Sequence, residues 1–226
     1  MSGARIVGLA MMLLSSAIAA SAQDQGDAHK IGFPDVADAT DIPYPVNTIT
    51  TGMVALLLTL GASGSVRNTL VLQDVPPLTA AALSGVQNWK FTPGRLHGEA
   101  AALRMPVYIV FNPYNPAGTA TVGGGLRSPR SLADVGVGGS AIPPQVRLAS
   151  YAMYPGNTVA TGTVVLSVNI NEWGHSMKIK VVHGVHPLTD AAVEVVKQWG
   201  FQPATFGGGR VAGRVCIAFV FQRNLS

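Results

Sequence analysis

The sequence contains one cysteine, Cys216, among 226 residues, and only 12% of its residues are charged. A single cysteine cannot form an internal disulfide, so the stability of the fold does not depend on redox chemistry. The charged fraction is too low, and the hydrophobic fraction of 48% too high, for a disordered chain. The net charge is +4, but the lysines and arginines are scattered, with no aromatic residues interleaved among them. We therefore predict a globular protein without a nucleic-acid partner.

The first 22 residues have the pattern of a targeting segment. Arg5 precedes an apolar run from Ile6 to Ala20, and Ala20-Ser21-Ala22 matches a cleavage signal. The run is shorter than the about 20 apolar residues that a membrane-spanning helix needs. We predict that residues 1–22 are a signal peptide and that the protein is exported; retention of this segment as a membrane anchor is the alternative. Residues 23–41 are polar and without periodicity, and they predict a flexible leader.

A shift of 110 positions carries one half of the chain onto the other. The matching residues include large aromatics and a turn glycine: Tyr44, Gly64, Trp89, Phe91 and Phe111 fall on Tyr154, Gly174, Trp199, Phe201 and Phe221. No insertion is needed across this length, which indicates a tandem duplication. The two copies occupy residues 42–112 and 150–226, and the stretch 113–149, rich in glycine and proline, predicts a linker between them.

Each copy predicts a β-β-α-β module. Alternating apolar residues mark the strands, and the apolar stripe from Leu188 to Trp199 predicts an amphipathic helix with a counterpart from Leu78 to Trp89. The predicted fold class is α+β, with one helix covering a small three-stranded antiparallel sheet in each module. Gly85 stands where the second helix has Val195, so we expect the first module to have less core volume and lower stability.

The helix with its paired alanines, followed by Trp-x-Phe-x-Pro and a strand ending in phenylalanine, resembles the C-terminal domain of the energy transducer TonB, present here twice. The resemblance implies a periplasmic domain that adds an extended peptide to its sheet as a further strand. In that family the peptide is the TonB box of an outer-membrane receptor, which connects the domain to transmembrane transport. Residues 1–22 contain no histidine and no Pro-rich spacer follows them, in contrast to the anchored transducers.

The residues with catalytic or metal-binding chemistry form no set that supports an enzyme. His175, His183 and His186 lie close in sequence but lack the acidic or cysteine partners of a metal site, and a solvated loop explains them. Cys216 lies among apolar residues of a strand, where a thiol behaves as a small hydrophobe. We predict no catalytic activity, no metal, no cofactor and no small-molecule substrate.

The predicted binding surface is the edge of the last strand of the second module. Its residues are Arg214, Val215, Cys216, Ile217, Ala218, Phe219, Val220 and Phe221. The strand contains no proline, whereas Pro106 replaces Cys216 in the first copy and removes one backbone donor. Trp173, at a hairpin tip where the first copy has Ser63, is either a contact residue or part of local packing.

Two functions follow from these residues and the family resemblance. The first is capture of an extended peptide or a partner strand by β-strand addition. The alternative is a structural or assembly module whose sheet edges pair with each other or with a second chain, as in a homodimer.

Overall fold

The computed structural model describes residues 31–46, 48, 50–113, 126–156 and 158–222. The predicted signal peptide, residues 1–22, lies outside this set. Two helices and sixteen strands occur in the described part of the chain, so the α+β fold class is confirmed.

The elements of the first copy begin upstream of the predicted module boundary. They are β1 Ile31–Gly32, β2 Asp35–Asp38, β3 Gly52–Leu60, β4 Val66–Gln73, α1 Leu78–Val86, β5 Lys90–Thr92, β6 Gly94–Leu96, β7 Glu99–Ala101 and β8 Leu103–Pro113. The second copy repeats them in order. Its elements are β9 Ala141–Ile142, β10 Gln145–Leu148, β11 Gly162–Ile170, β12 Ser176–His183, α2 Leu188–Val196, β13 Gly200–Gln202, β14 Ala204–Phe206, β15 Gly209–Val211 and β16 Gly213–Gln222.

The repeat therefore extends into the stretches predicted to be a flexible leader and a linker. Of the predicted leader, residues 31–41 contain β1 and β2, which pair with β6 and β5. Of the predicted linker, residues 126–149 contain β9 and β10, which pair with β14 and β13. These strands have two or four residues, too few to show a period in the sequence, and the prediction of irregular structure is wrong at these four strands.

One six-stranded sheet joins the two copies, in place of two separate three-stranded sheets. Its strand order is β12-β11-β16-β8-β3-β4. The neighbouring strands are antiparallel except at the centre, where β16 and β8, the last strands of the two copies, run parallel. In this parallel pair Cys216 lies opposite Val107 and Ile217 lies opposite Tyr108. We call the β16–β8 pair the seam.

The two helices lie on opposite faces of this sheet, and each core contains residues of both copies. Below α1, residues Leu78, Ala82 and Val86 share a core with Cys216, Ala218 and Val220. Below α2, residues Leu188, Ala192 and Val196 share a core with Met53, Ala55 and Tyr108. Neither copy thus encloses its core alone, which suits modules of about 70 residues that bury little surface by themselves.

Both helices end before the tryptophan that closes the apolar stripe. α2 ends at Val196, three residues short of the predicted end, and the backbone N–H of Trp199 donates to Val196 O. The indole Nε1 of Trp199 donates to Ser150 O at 3.2 Å, and that of Trp89 to Thr40 O at 3.0 Å. Each buried tryptophan therefore fixes the backbone segment that follows β2 or β10.

The space beside Gly85 is filled by Ile42. A Cβ at Gly85 would lie 2.6 Å from Ile42 Cγ1, and Ile42 is buried. The counterparts of Gly85 and Ile42 in the second copy are Val195 and Ala152, both buried. The two copies therefore place similar volume at this site from different residues, and the lost core volume expected for the first module is not found.

Candidate binding surface

The predicted binding strand lies at the centre of the sheet. β16 pairs with β11 on one side, where Cys216 lies opposite Ser167, and with β8 on the other. The side chains of residues 215–221 are all buried. The prediction that Arg214 to Phe221 present a free edge is wrong, because the duplication supplies a partner strand within the same chain.

Pro106 marks the start of the seam. It pairs with Leu57 of β3, and the pairing of β8 with β16 begins one residue later, at Val107. A proline has no N–H to donate to a second neighbouring strand. The N–H that is missing at Pro106 therefore lies just before the parallel β8–β16 pairing begins, so no hydrogen bond of that pairing is lost.

Burial raises the pKa values of two titratable groups in the seam, Cys216 and Tyr108. Burial raises the pKa of the Cys216 thiol well above its ordinary value of 9.0, and the charge of Asp35 raises it further. Burial also raises the pKa of Tyr108, although the hydrogen bond that its hydroxyl accepts from the Val146 N–H opposes this effect. Both groups are neutral at physiological pH, and Cys216 is a buried free thiol, as predicted.

Asp35 of β2 connects the first copy to the second. Ser167 Oγ donates to Asp35 Oδ1 at 2.6 Å, and Arg214 Nη1 lies 3.2 Å from Asp35 Oδ2. Arg214 Nε in turn donates to Asn169 Oδ1 at 2.8 Å. The Asp35 side chain is only 18% exposed, so its charge is compensated mainly within the protein. These contacts hold β2 against β11 and β16, in the half of the six-stranded sheet that the second copy forms.

The outer edges of the six-stranded sheet are β4 and β12. At the end of β4, Arg130 Nε donates to Leu72 O at 3.3 Å and Arg130 Nη2 to Val71 O at 3.4 Å. β12 pairs with β11 only, and no other described residue forms a backbone hydrogen bond with it. Within the described residues, β12 is the less obstructed edge.

The side chains of β12 differ between its two faces. Lys178 and Lys180 project on one face, where Lys180 Nζ lies 3.9 Å from Asp35 Oδ2. Ile179 and Val181 project on the other; Ile179 packs against the core below α2, and Val181 is 43% exposed. The edge therefore combines a basic face with an apolar one.

Trp173 lies at the tip of the β11–β12 hairpin and is 67% exposed. Its backbone N–H donates to Asn171 Oδ1 at 3.0 Å, which also accepts from the His175 N–H at 2.9 Å. Together with residues of β10, β13, β14 and β15 it lines a cleft of about 280 Å³, here called the hairpin cleft. The residues that line it include Arg147, Trp173, Phe201, Pro203, Thr205 and Arg210.

The three histidines near the second hairpin occupy different structural positions and do not form one site. His175 is part of the hairpin turn, and His183 Nε2 lies 3.5 Å from Asp41 Oδ1. His186 lies between β12 and α2. Among the described residues, no three His, Cys, Asp or Glu side chains come together as a metal-binding group. Nor does the described part of the chain contain a helix with the length and apolar character to cross a membrane.

Comparison with known families assigns both halves of the chain to one domain type. Residues 47–113 and 156–222 match the family described as Gram-negative bacterial TonB protein C-terminal. The chain belongs to this family. The matches cover more than half of the sequence and confirm the predicted pair of tandem TonB C-terminal copies. No curated protein and no solved structure matches the chain. In this chain each TonB C-terminal copy contributes three strands to a shared sheet.

Proposed function

We propose that this protein is a periplasmic, protein-binding member of the TonB family that captures an extended segment of a partner by strand addition along β12. The main support for this proposal is the way the strands of the six-stranded sheet are paired. β16 is paired on both sides, while β12 is paired on one side only among the described residues. An edge strand offers unpaired backbone N–H and C=O groups to another strand.

The other edge is the weaker candidate. Two carbonyls at the end of β4, those of Val71 and Leu72, already accept hydrogen bonds from the Arg130 guanidinium. A strand that added along the full length of β4 would meet this side chain. β12 has no comparable contact from the described part of the chain.

The side chains of β12 define the chemistry of the partner. A strand added beside β12 continues its two faces, since side chains of neighbouring strands align on the same face of a sheet. Lys178 and Lys180 then favour acidic side chains, and Ile179 and Val181 favour apolar ones. The proposed partner is an extended segment with alternating acidic and apolar residues, which an outer-membrane receptor could present in the periplasm.

The test is a titration of the full-length protein, labelled with ¹⁵N, with a short blocked peptide that alternates glutamate and valine. We expect amide shifts and slowed hydrogen exchange in residues 176–183 and little change in residues 66–73. Lys178→Glu combined with Lys180→Glu should weaken binding about tenfold, because two attractive cross-strand pairs become repulsive. The matched control, Asn68→Glu with Leu70→Glu, changes the corresponding positions of β4 and should leave binding unchanged.

Shifts confined to β4, or equal binding of a peptide that alternates lysine and valine, would contradict this assignment. The double substitution on β12 is on the surface, so a folded spectrum with unchanged affinity would also contradict it.

A second function is favoured by the seam itself. The pairing of β8 with β16 consumes one edge of each copy, as expected for a self-paired assembly module without a mobile ligand. Sedimentation of the full-length protein separates the alternatives when combined with the titration. A stable dimer that does not bind either peptide supports the assembly module, while a monomer that binds the acidic peptide supports strand capture.

A further inference from the structure

We propose that the hairpin cleft binds a carboxylate that is carried next to an aromatic group, as in an acidic or C-terminal residue of a peptide. This site is distinct from the backbone edge of β12 and does not depend on strand addition. Its cationic groups are Arg147 and Arg210, and its aromatic wall is Trp173.

The two arginines have no partner within the described structure. Arg147 is on β10 and Arg210 is on β15, and both are exposed. Neither guanidinium forms a hydrogen bond or ion pair with a described residue, and none of the described residues that line the cleft is acidic. A guanidinium donates to both oxygens of a carboxylate at once, so two of them on one small cleft favour an anionic ligand.

The aromatic wall is held in place by the backbone. Gly174 has φ +87°, and a Cβ there would lie 2.3 Å from Phe201 O. Only a glycine at position 174 therefore lets the hairpin tip approach β13 this closely. This contact brings Trp173 next to Phe201, which is buried. An indole with two-thirds of its surface exposed offers a flat face on which another ring can stack.

The charged and aromatic residues of the cleft are specific to the second copy. The positions that correspond to Arg147, Trp173 and Arg210 in the first copy hold Ala37, Ser63 and Ala100. Phe201 and Pro203 have the same residue types as their counterparts Phe91 and Pro93. The fold therefore does not require an arginine or tryptophan at these positions, and a ligand accounts for their presence together.

The size of the cleft limits the part of the ligand that it holds to about one carboxylate and one ring. A volume of about 280 Å³ is at the lower end of ligand pockets. It suits one carboxylate and one ring, and the carboxylate comes either from a peptide C-terminus or from an aspartate or glutamate side chain. The two sources share their chemistry and are separated by the choice of probe.

The test uses probes that are too short to add a strand to β12. N-acetyl-phenylalanine carries a terminal carboxylate, N-acetyl-aspartyl-phenylalanine amide carries only a side-chain carboxylate, and N-acetyl-phenylalanine amide carries neither. Binding is followed in the full-length protein through the indole N–H signals. Those of Trp89 and Trp199 are hydrogen-bonded inside the protein and serve as internal references for folding.

We expect one or both acids to shift the Trp173 indole signal, and the neutral amide to bind about tenfold more weakly or not at all. Arg147→Ala combined with Arg210→Ala reproduces the first copy and should abolish the preference for the acid. The control Arg95→Ala changes an exposed arginine outside the cleft and should have no effect.

Equal binding of acid and amide, or an acid preference that survives in a folded double variant, would overturn the proposal. So would the absence of any Trp173 shift at millimolar probe. None of these results bears on strand capture by β12, which is tested with the longer peptide.

Discussion

Cys216 lies opposite Val107 in the seam, one residue away from Pro106, which is its counterpart in the repeat. Because neighbouring residues of a strand point to opposite faces, this offset places equivalent residues of the two copies on opposite sides of the sheet. Val107 faces the core below α1, whereas its counterpart Ile217 faces the core below α2. The register of the seam thus explains why the two helices cover different faces.

The exchange of volume between Ile42 and Gly85 predicts coupling between them. Gly85→Val alone should destabilise the protein by about 1–3 kcal/mol, because its side chain would overlap Ile42. Ile42→Ala alone should cost about 2–4 kcal/mol through the cavity that it leaves. The double variant reproduces the Val195–Ala152 pair of the second copy and should recover most of both losses in urea unfolding. Additive losses would show that the two sites do not share a space.

The contact of Asp35 with the second copy predicts a large difference between two aspartates of the same strand. Asp35→Asn removes the charge that lies 3.2 Å from Arg214, and we expect a loss of about 1–3 kcal/mol in the free energy of unfolding. Asp38→Asn is the control, since its ion pair with Lys90 is largely exposed. That change should cost about 0.5 kcal/mol or less. Similar losses for the two variants would argue against the placement of β2 on the second copy.

The raised pKa of Cys216 predicts a loss of stability at alkaline pH. Above pH 9, the thiol ionises in the unfolded chain but stays protonated in the folded protein, so the unfolded state is favoured as pH rises. The contribution of the Cys216 thiol to the free energy of unfolding is fully present below pH 9. Above this pH it decreases by about 1.4 kcal/mol per pH unit, until the pH reaches the pKa of the thiol in the folded protein.

Cys216→Ala isolates this contribution. The stability of the variant, measured by urea unfolding from pH 8 upward, should fall less steeply than that of the parent protein once the pH exceeds about 9. Tyr108→Phe should flatten the profile in the same way from about pH 10, the ordinary value of a tyrosine. Parallel profiles for the parent and Cys216→Ala would mean that the thiol is accessible to water.

The sequence predicts the local parts of this fold better than their assembly. The α+β class and the duplication follow from side chains, since Trp89 and Trp199 or Gly64 and Gly174 recur at a fixed spacing. The seam involves backbone groups of two distant strands, which leave no motif. One signal was available: residues 215–221 are apolar without alternation, a pattern typical of a strand covered on both faces. It indicates an interior strand more than an edge.

The hairpin cleft shows a second limit of sequence reasoning. Trp173 stands out because the first copy has Ser63, but Arg147 and Arg210 lie on separate elements and are ordinary surface residues in the sequence. The close contact of Gly174 with β13, the pairing of β10 with β13 and the pairing of β15 with β14 place them around one cleft. Arg147 reaches the cleft through β10, a short strand in the stretch 113–149 that the sequence predicts to be a linker.

The seam is tested most directly by nuclear Overhauser effects between backbone protons of β8 and β16. We expect contacts that follow the parallel register, with Cys216 beside Val107 and Phe219 beside Val110, as well as the antiparallel contacts of β3 with β8 and of β11 with β16. The antiparallel contacts serve as an internal control for the folded state of each copy. If they are present and no contact joins β8 to β16, the two copies form separate sheets and the shared six-stranded sheet is contradicted.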